Sequence, residues 1–313
     1  MKKSKFFIYL FLVLALLAMR ASAQTAEALL SQLDSTKKFN KVEATFKATH
    51  VVLSHSTETQ KKHDLDLRIR HHFGDIGGEF GSAHTLYGLD VATDLFIGLD
   101  YGLTDNLTVG FGRSKHDELF NLYVKQKLLQ QTTDGSMPIN LTFLAQAGLV
   151  ARKPFTDTEF ANYGNRLSYL IQPIFSRKFS QRISLEVMPA FLIRSVSADP
   201  NDPKNLFTLG FAGRVKLTKR LSFVADYTLV NGLSRPNKLA VPLYNPLGIG
   251  LEIETGGHIF SLNFMNSEYI NENSFIANTK KSWTDGGVRF GFTISRNFSL
   301  FKSKNPDTKS TIY

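Results

Sequence analysis

Charged and apolar residues alternate in the stretch KHDLDLRIRHHF, which begins at Lys62. Asp64, Asp66, Arg68 and Arg70 occupy every second position, so in an extended chain their side chains share one face. A row of opposite charges of this kind can bind or conduct ions, or it can pair into a closed network. Which of these it does depends on the elements that position the row.

Other segments carry charges with the same spacing, opposite a face of apolar residues. The basic members of this set are Arg68, Arg70, Lys125, Lys127, Arg194, Arg214, Lys216 and Arg289. The acidic members are Asp64, Asp66, Asp94, Asp100, Glu186, Asp226, Glu252 and Glu254. Rings of like charge set ion selectivity in pores, but these two sets are equal in size and predict little selectivity. An ion-paired core without a pore and a narrow wet channel remain equally open.

A group of histidines beside carboxylates could indicate a metal site, but the spacing of these residues argues against it. His63, His71 and His72 lie near Asp64 and Asp66, but alternation sends His71 and His72 to opposite faces, so we expect neither a metal site nor a cofactor.

The glycine pairs GFG (110–112) and GIG (248–250) resemble nucleotide-binding loops, yet neither opens a helix. Inward glycines give room for a large neighbouring side chain or for curvature. The alternative is that these glycines mark a functional constriction of the lumen.

The elements that position these residues are strands. Alternation with period two continues almost to the end of the chain, and many runs reach the roughly 9–11 residues of a tilted transmembrane strand. On a lipid-facing surface Arg68 and Arg70 would each cost about 2–4 kcal/mol, so the charged face must point inward. Only a closed barrel satisfies the backbone of such strands in lipid. The predicted fold is an all-β, antiparallel up-and-down transmembrane β-barrel of about 12 strands, with 14 possible, and a short N-terminal helix.

Short and long connections also alternate, as expected for short periplasmic turns and longer outer loops. The longish connection Gln130–Pro138 is an exception on the short-turn side. Glu268–Asp285 is one of the predicted polar loops. The run Val42–Ser54 makes an awkward thirteenth strand, which could lie inside the lumen, close along the periplasmic rim or pair with a further short strand.

The N-terminus predicts export. Basic Lys2, Lys3 and Lys5 precede the apolar run Phe6–Ala18, and Ala21-Ser22-Ala23 is a small-residue cleavage site. The predicted organisation is a signal peptide at 1–23, cleaved near Ala23, a short helical lead-in or plug at 24–40, an outer-membrane barrel at 41–301 and a polar tail at 302–313. The predicted location is the cell outer membrane.

Composition excludes several classes of protein. The formal charge of +10 includes four basic residues of the leader, and no basic run exceeds two residues, so we expect no nucleic-acid partner. With no cysteine, the chain can form no disulfide and carries no cysteine for a lipid anchor.

Three stretches resemble a known family: ATFKATHVVLSHSTET, LDLRIRHHFGDIGG and LYGLDVATDLFIGLDYGLTDNLTVGFGRS. They are similar to an uncharacterised family of bacterial outer-membrane β-barrels, known only as a domain of unknown function. The resemblance implies the barrel fold and no particular activity, so no functional residues carry over.

The predicted function is a narrow, porin-like channel for small polar solutes. The alternative is a closed structural or docking barrel that binds a periplasmic or surface partner. An enzyme is less favoured, because the outward faces carry almost no Ser or His near mid-strand to form a nucleophile–base pair. The expected partners are outer-membrane lipid, the barrel-assembly machinery and a possible periplasmic protein.

Overall fold

The computed structural model of the chain describes residues 40–78, 81–156, 159–197 and 199–301. Its strands are β1 (Asp64–Asp75), β2 (Ala92–Thr104), β3 (Leu107–Ser114), β4 (Phe120–Leu129), β5 (Asn140–Leu149), β6 (Leu167–Lys178), β7 (Ile183–Arg194), β8 (Asn205–Lys216), β9 (Leu221–Leu229), β10 (Leu247–Thr255), β11 (His258–Met265) and β12 (Arg289–Ser299). One α-helix, α1 (Glu272–Asn278), lies between β11 and β12. Three short 3-10 turns lie at Ala83–Thr85, His116–Glu118 and Tyr163–Arg166.

The strands close into a single antiparallel barrel in which each strand pairs with its sequence neighbours and β1 pairs with β12. Ile69 of β1, for example, stands opposite Ile294 on one side and Ile97 on the other. Closure removes both sheet edges, so every strand has a partner on each side. The predicted barrel of twelve strands is confirmed.

The two faces of the barrel wall differ in polarity. In β1 the burial of side chains alternates along the strand, with Asp64, Asp66, Arg68 and Arg70 inside. Large apolar side chains form a band on the outer surface: Ile97, Leu99, Phe111, Leu122, Phe143, Ile171, Phe175, Leu185, Val187, Phe191, Phe207, Phe211, Phe223, Leu251, Leu262 and Phe264. An exposed apolar surface of this extent marks contact with lipid or with another protein.

The two ends of the barrel carry different connections. At one end, here called the turn end, lie residues 105–106, 130–139, 179–182, 217–220 and 256–257. At the other, the loop end, lie residues 76–78, 81–91, 115–119, 150–156, 159–166, 195–197, 199–204, 230–246 and 266–288. The longer turn between β4 and β5 has a structural reason, because Lys41 bridges to Thr132 and Val42 donates to the carbonyl of Gln131 at 2.7 Å.

Residues 41–62, here called the inner segment, enter the barrel at the turn end and form no strand of its wall. Thr49–Ser56 fold back as a small hairpin, closed by a hydrogen bond from Val51 N to Ser54 O (2.8 Å) and another from Ser56 N to Thr49 O (3.0 Å). Phe46, Val52 and Leu53 are buried there. The sequence left three placements open for the run at 42–54: the lumen, the periplasmic rim, or pairing with a further strand. In the structure the run lies in the lumen.

Residues 266–288, here called the folded-in loop, pack into the barrel from the loop end and contain α1. The prediction of a simple polar loop at 268–285 is wrong in this respect, since Phe275 and Ile276 of α1 are fully buried. Among the described residues, no helix has the length and apolar character needed to cross a membrane. The predicted signal peptide, the helix at 24–40 and the tail at 302–313 lie outside the described residues, apart from Asn40.

Candidate functional site

Arg68 of β1 is the centre of a buried charge cluster. Its Nη2 lies 2.6 Å from Asp66 Oδ2 and 2.7 Å from Asp100 Oδ2. Asp66 and Asp100 are paired across β1 and β2, and Arg68 follows Asp66 on the same inward face. The guanidinium also donates to the hydroxyl of Thr49 in the inner segment. The cluster therefore connects the wall to the segment within it.

Asp226, near the middle of β9, holds the tip of the hairpin. Its Oδ2 accepts hydrogen bonds from three successive backbone amides, those of Val52 (3.2 Å), Leu53 (2.7 Å) and Ser54 (2.8 Å). Hydrogen bonds to a charged group each contribute about 1.5–3 kcal/mol. One wall carboxylate thus satisfies three amides that the turn leaves without a backbone partner.

Arg70 of β1 holds the same tip from another side of the barrel. Its Nη2 donates to the carbonyl oxygens of Val52 (2.6 Å) and Leu53 (3.4 Å). Its Nη1 donates to the carbonyl of Ile270 in the folded-in loop (3.3 Å). Arg70 therefore binds both the hairpin and the folded-in loop.

Two more wall residues bind the inner segment through its main chain. Lys125 of β4 donates from Nζ to the carbonyl of Thr49 at 2.9 Å, and Glu186 of β7 accepts from the amide of Thr57 at 3.0 Å. Both side chains are buried. A buried charge requires hydrogen-bonding partners, and here the segment supplies them.

The folded-in loop has its own set of contacts. Glu272 Oε1 accepts from the backbone amide of His55 at 2.9 Å, and Asp94 Oδ2 accepts from the amide of Ile270 at 3.2 Å. Asn121 donates to the side chain of Asn271 at 3.0 Å. The loop therefore contacts both the wall and the hairpin.

Arg235, in the connection between β9 and β10, fixes the carboxyl end of α1. It donates to Asp202 from Nε (2.8 Å) and to the carbonyl of Ala277 from Nη2 (2.8 Å). Arg194 also pairs with Asp202. Three buried charged side chains thus hold the helix in place.

Part of the lumen is apolar. The buried cluster joins inner-segment and folded-in-loop residues to the wall: Phe46, Val51, Val52, Leu53, Phe275, Ile276, Leu144, Leu170, Ile174, Met188, Leu192, Leu206 and Val224. Full burial of one such side chain contributes about 1.5–3 kcal/mol. The wall strands from β5 to β9 therefore pack against the inserted residues as an ordinary hydrophobic core.

Inward glycines give room for these contacts. A Cβ placed on Gly248 would lie 2.6 Å from Val52 Cγ1, and one on Gly110 would lie 2.1 Å from Cζ of Tyr123. Both distances are shorter than van der Waals contact. Of the explanations considered for these glycines, space for a large neighbour is the one that the geometry supports.

Open space lies mainly at the two ends of the barrel. A cavity of about 330 Å³ at the turn end is lined by Lys41, Glu58 and Lys127, and one of about 500 Å³ at the loop end by Arg152, Arg166 and Asn273. Between them, the cavity beside the hairpin and Arg68 has only about 10 Å³, roughly the space of one water molecule. Protein fills the middle of the lumen.

Two histidines of the hairpin face each other in this filled region, with ring centroids 3.8 Å apart. Burial lowers the pKa of both His50 and His55 well below 6.5, and the positive charges of Arg68, Arg70 and Lys125 lower it further. Burial raises the pKa of Glu272 to about 7. The hairpin is therefore packed with neutral imidazole rings.

The structure places all of the predicted lumen residues on the inner face of the wall. Most are buried, whereas Lys127, Lys216 and Glu254 near the turn end are partly exposed. Ion pairs join Arg289 to Asp75 (2.7 Å), Arg214 to Glu252 (3.8 Å), Lys127 to Glu58 (3.4 Å) and Glu254 to Lys47 (2.8 Å), and Arg194 pairs with Asp202. Asp64 accepts from the hydroxyl of Ser299 at 2.6 Å.

Sequence reasoning did not find Thr49, His55, Glu272 or Arg235. A signal existed for the folded-in loop, because Tyr269-Ile270 and Phe275-Ile276 are unusual apolar pairs in a connection assigned to water. The partners of Arg235 carry no such signal, since they come from connections distant in sequence.

The structure places His71 and His72 on opposite faces of β1, as the alternation predicts. His72 is buried on the inner face, whereas His71 packs against Phe292 on the outer face with ring centroids 5.5 Å apart. In the part of the chain that the structure describes, no group of three or more metal-ligating side chains is suited to an ion. The absence of a cofactor and of enzyme activity stays a prediction.

Comparison with known proteins matches residues 46–298 to the family described as "Membrane bound beta barrel domain (DUF5777)". The predicted family resemblance is confirmed. No curated protein sequence matches the chain.

Among solved structures, the NanC porin has a TM-score of 0.45 and 9% identity over 75% of this chain and 100% of the porin. The COG4313 outer membrane channel from Pseudomonas putida F1 has a TM-score of 0.44 and 12% identity over 77% and 98%. The KdgM porin has a TM-score of 0.42 and 7% identity over 76% and 99%. These similarities concern the fold alone.

Proposed function

We propose that this chain, which belongs to the family of membrane-bound β-barrel domains (DUF5777), is an outer-membrane channel for small polar solutes that its own inner segment holds closed. One observation carries the proposal: charged wall residues at the middle of the lumen bind the main chain of a segment that is not part of the wall. Asp226, Arg70, Lys125 and Glu186 all do so.

The way in which the inner segment is attached supports a removable closure. It precedes β1 and contributes no strand, so its departure from the lumen breaks no pairing between wall strands. The charged side chains it leaves behind would be hydrated, as in the polar lumen of a pore. The resting state is thus closed, and conduction requires that the hairpin move toward the turn end.

A closed structural or docking barrel is the second candidate. The apolar cluster favours it, because withdrawal of the segment exposes Phe46, Val52 and Leu53 at about 1.5–3 kcal/mol each. In that case the lumen is a permanent core, and a periplasmic or surface protein binds at one end of the barrel.

A reversible cross-link distinguishes the two candidates in the full chain. Asp226→Ala removes the carboxylate that holds the tip, so we expect single channels in planar bilayers where the unmodified protein is mostly closed. A second variant adds Val52→Cys and Gly248→Cys to Asp226→Ala. A Cβ at 248 would lie 3.0 Å from that of Val52, close enough for a disulfide after a small shift.

We expect the oxidised cross-linked protein to be silent and a reductant to restore its channels. The chain has no native cysteine, so the reductant acts on this bond alone. Channels that persist in the oxidised protein would place the conducting path elsewhere. Silence of folded Asp226→Ala protein under all conditions would favour the closed barrel.

The membrane context belongs to the same proposal. The outer apolar band would contact outer-membrane lipid, and the barrel-assembly machinery would insert the chain after a leader of residues 1–23 is removed. N-terminal sequencing of protein from purified outer membranes tests this, with Gln24 as the expected first residue. A mature protein that still begins at Met1 would contradict the predicted removal of residues 1–23.

A further inference from the structure

We infer that the lumen wall is a binding site for polypeptide main chain, so that the solutes taken by the opened channel include peptide segments. This inference rests on the proposed function, because the site becomes accessible only when the inner segment leaves.

At the tip of the hairpin, the wall binds main-chain amides and carbonyls. Asp226 accepts from three backbone amides, and Arg70 donates to the carbonyls of Val52 and Leu53. An amide group has one donor and one acceptor, and the wall offers a partner for each. None of these hydrogen bonds depends on which side chains the tip carries.

The same kind of recognition continues along the wall away from the tip. Thr108 of β3 accepts from the amide of Gln60 at 2.8 Å, and Thr142 of β5 donates to the carbonyl of Thr57 at 2.8 Å. Together with Lys125 and Glu186, these contacts supply both donors and acceptors from four strands. They follow the main chain over residues 49–60.

The wall also contacts side chains of the inner segment outside its tip, including ion pairs of Lys47 with Glu254 and of Glu58 with Lys127. Thr49 contacts Arg68 and Asp100 through its hydroxyl, and the hydroxyl of Thr57 lies 2.6 Å from that of Ser176. The tip residues Val51–Leu53 make apolar contacts within the buried cluster. At the tip, where the hydrogen bonds go to the main chain, the site therefore selects for free amides and moderate apolar side chains, and there it accepts a range of sequences.

The charge balance of the wall fits this class of ligand. Equal numbers of predicted basic and acidic lumen residues give no strong preference for an anion or a cation, whereas a neutral amide chain needs partners of both kinds. A polypeptide uses both sets at once.

The test uses the full chain with Leu53→Pro. Proline removes one of the amides bound by Asp226 and leaves every wall residue in place, so it weakens the protein's own hairpin without altering the site. Synthetic peptides of residues 41–62 are then added, and the block of single-channel current is measured against peptide concentration.

Three peptides separate main-chain from side-chain recognition. The first has the native sequence, the second exchanges two tip residues (Val51→Leu and Leu53→Val), and the third is native but N-methylated at the amides of Leu53 and Ser54. We expect the first two to block with affinities within about threefold, and the methylated peptide to bind at least about tenfold more weakly, equivalent to about 1.4 kcal/mol. Adding Asp226→Ala to the protein should abolish the difference caused by methylation.

Equal block by the native and methylated peptides would overturn the inference, as would loss of block with the exchanged tip. A parallel measurement needs no conductance: the fluorescence anisotropy of labelled peptides with the detergent-solubilised Leu53→Pro protein. The expected order of affinities in this assay, with a barrel that does not conduct, would support the peptide site and count against the channel. If the barrel conducts but binds none of the peptides, the proposed channel stands and the proposed peptide site is wrong.

Discussion

The carboxylate of Asp226 and the backbone amide of Leu53 form a buried hydrogen bond of 2.7 Å between residues 173 positions apart in sequence. The bond joins the middle of a wall strand to the tip of the inner hairpin. Two neighbouring amides share the same oxygen. The closed state of the lumen thus depends on one wall side chain more directly than on any side chain of the hairpin tip.

Replacing Asp226 should therefore release the hairpin by degrees. Asp226→Asn keeps a neutral acceptor oxygen and should weaken closure modestly, whereas Asp226→Ala should weaken it by at least about 1.5–3 kcal/mol, the contribution of one hydrogen bond to a charged group. The measurement is the labelling rate of a single Leu53→Cys with a water-soluble thiol reagent. Equal rates for Asn, Ala and the parent would contradict the role given to Asp226.

A methyl group at Gly248, which pairs with Asp226 on the neighbouring strand, should also displace the hairpin. The Cβ of Gly248→Ala would lie 2.6 Å from Val52 Cγ1 and 2.9 Å from Asp226 Oδ1, and overpacking of this kind costs about 1–3 kcal/mol. We expect faster labelling of Leu53→Cys and more frequent channel opening.

Gly213→Ala is the matched control for Gly248→Ala. Gly213 is only partly buried, and its nearest neighbour would be Cδ2 of Leu185 at 3.3 Å. Gly213→Ala should leave the labelling rate of Leu53→Cys and the frequency of channel opening unchanged. An equal effect of both glycine substitutions would point to a general loss of barrel stability.

Closure should depend on pH through three groups that the hairpin and α1 bring together. His50 and His55 have lowered pKa values in the closed state, so protonation below about 6.5 favours the state with the hairpin outside the lumen. Glu272, with a pKa of about 7 when closed and 4.5 when exposed, acts in the opposite direction and favours closure as the pH falls. Two histidines outweigh one carboxyl, so closure should weaken below pH 6.5, by at most about 1.4 kcal/mol per pH unit.

Variants separate these opposing contributions. Glu272→Gln should steepen the loss of closure below pH 6.5, and the pair His50→Gln with His55→Gln should reverse its sign. The open fraction in bilayers, measured from pH 7.5 to 5, checks both. An identical pH profile in all three proteins would show that these groups do not control closure.

Arg235 should control the folded-in loop. Arg235→Ala leaves the buried carboxylate of Asp202 with Arg194 as its remaining charged partner and removes the donor to Ala277. We expect a loss of about 3 kcal/mol, near the lower end for a broken buried pair. Limited proteolysis of reconstituted barrels should then cut within residues 266–288 while the wall resists. The exposed Arg296→Ala serves as the control and should leave the loop protected.

Much of the wall could be predicted from local pattern. Alternation places Asp66, Arg68 and Arg70 on one face of β1 whatever their partners are, and the energy of a charge in lipid decides which face is inside. The same logic explains why the strand number was accessible, since each strand is long and has its own period. Helix α1 was missed because seven residues, ENSFIAN, carry too little periodicity to separate a buried helix from a loop.

The amino-acid sequence by itself determined a membrane barrel of about twelve strands, with fourteen left open, that has a charged inner face and an apolar outer face. These are properties of single strands, set by the spacing of side chains and by the cost of charge in lipid. Only the tertiary structure decided what the inner charges do. Asp226, Arg70, Lys125 and Glu186 bind backbone atoms of residues 49–57, and backbone atoms are the same in every sequence. A pattern of residue types therefore cannot predict such a contact. The contact forms only when closure of the barrel brings the strands around the inner segment.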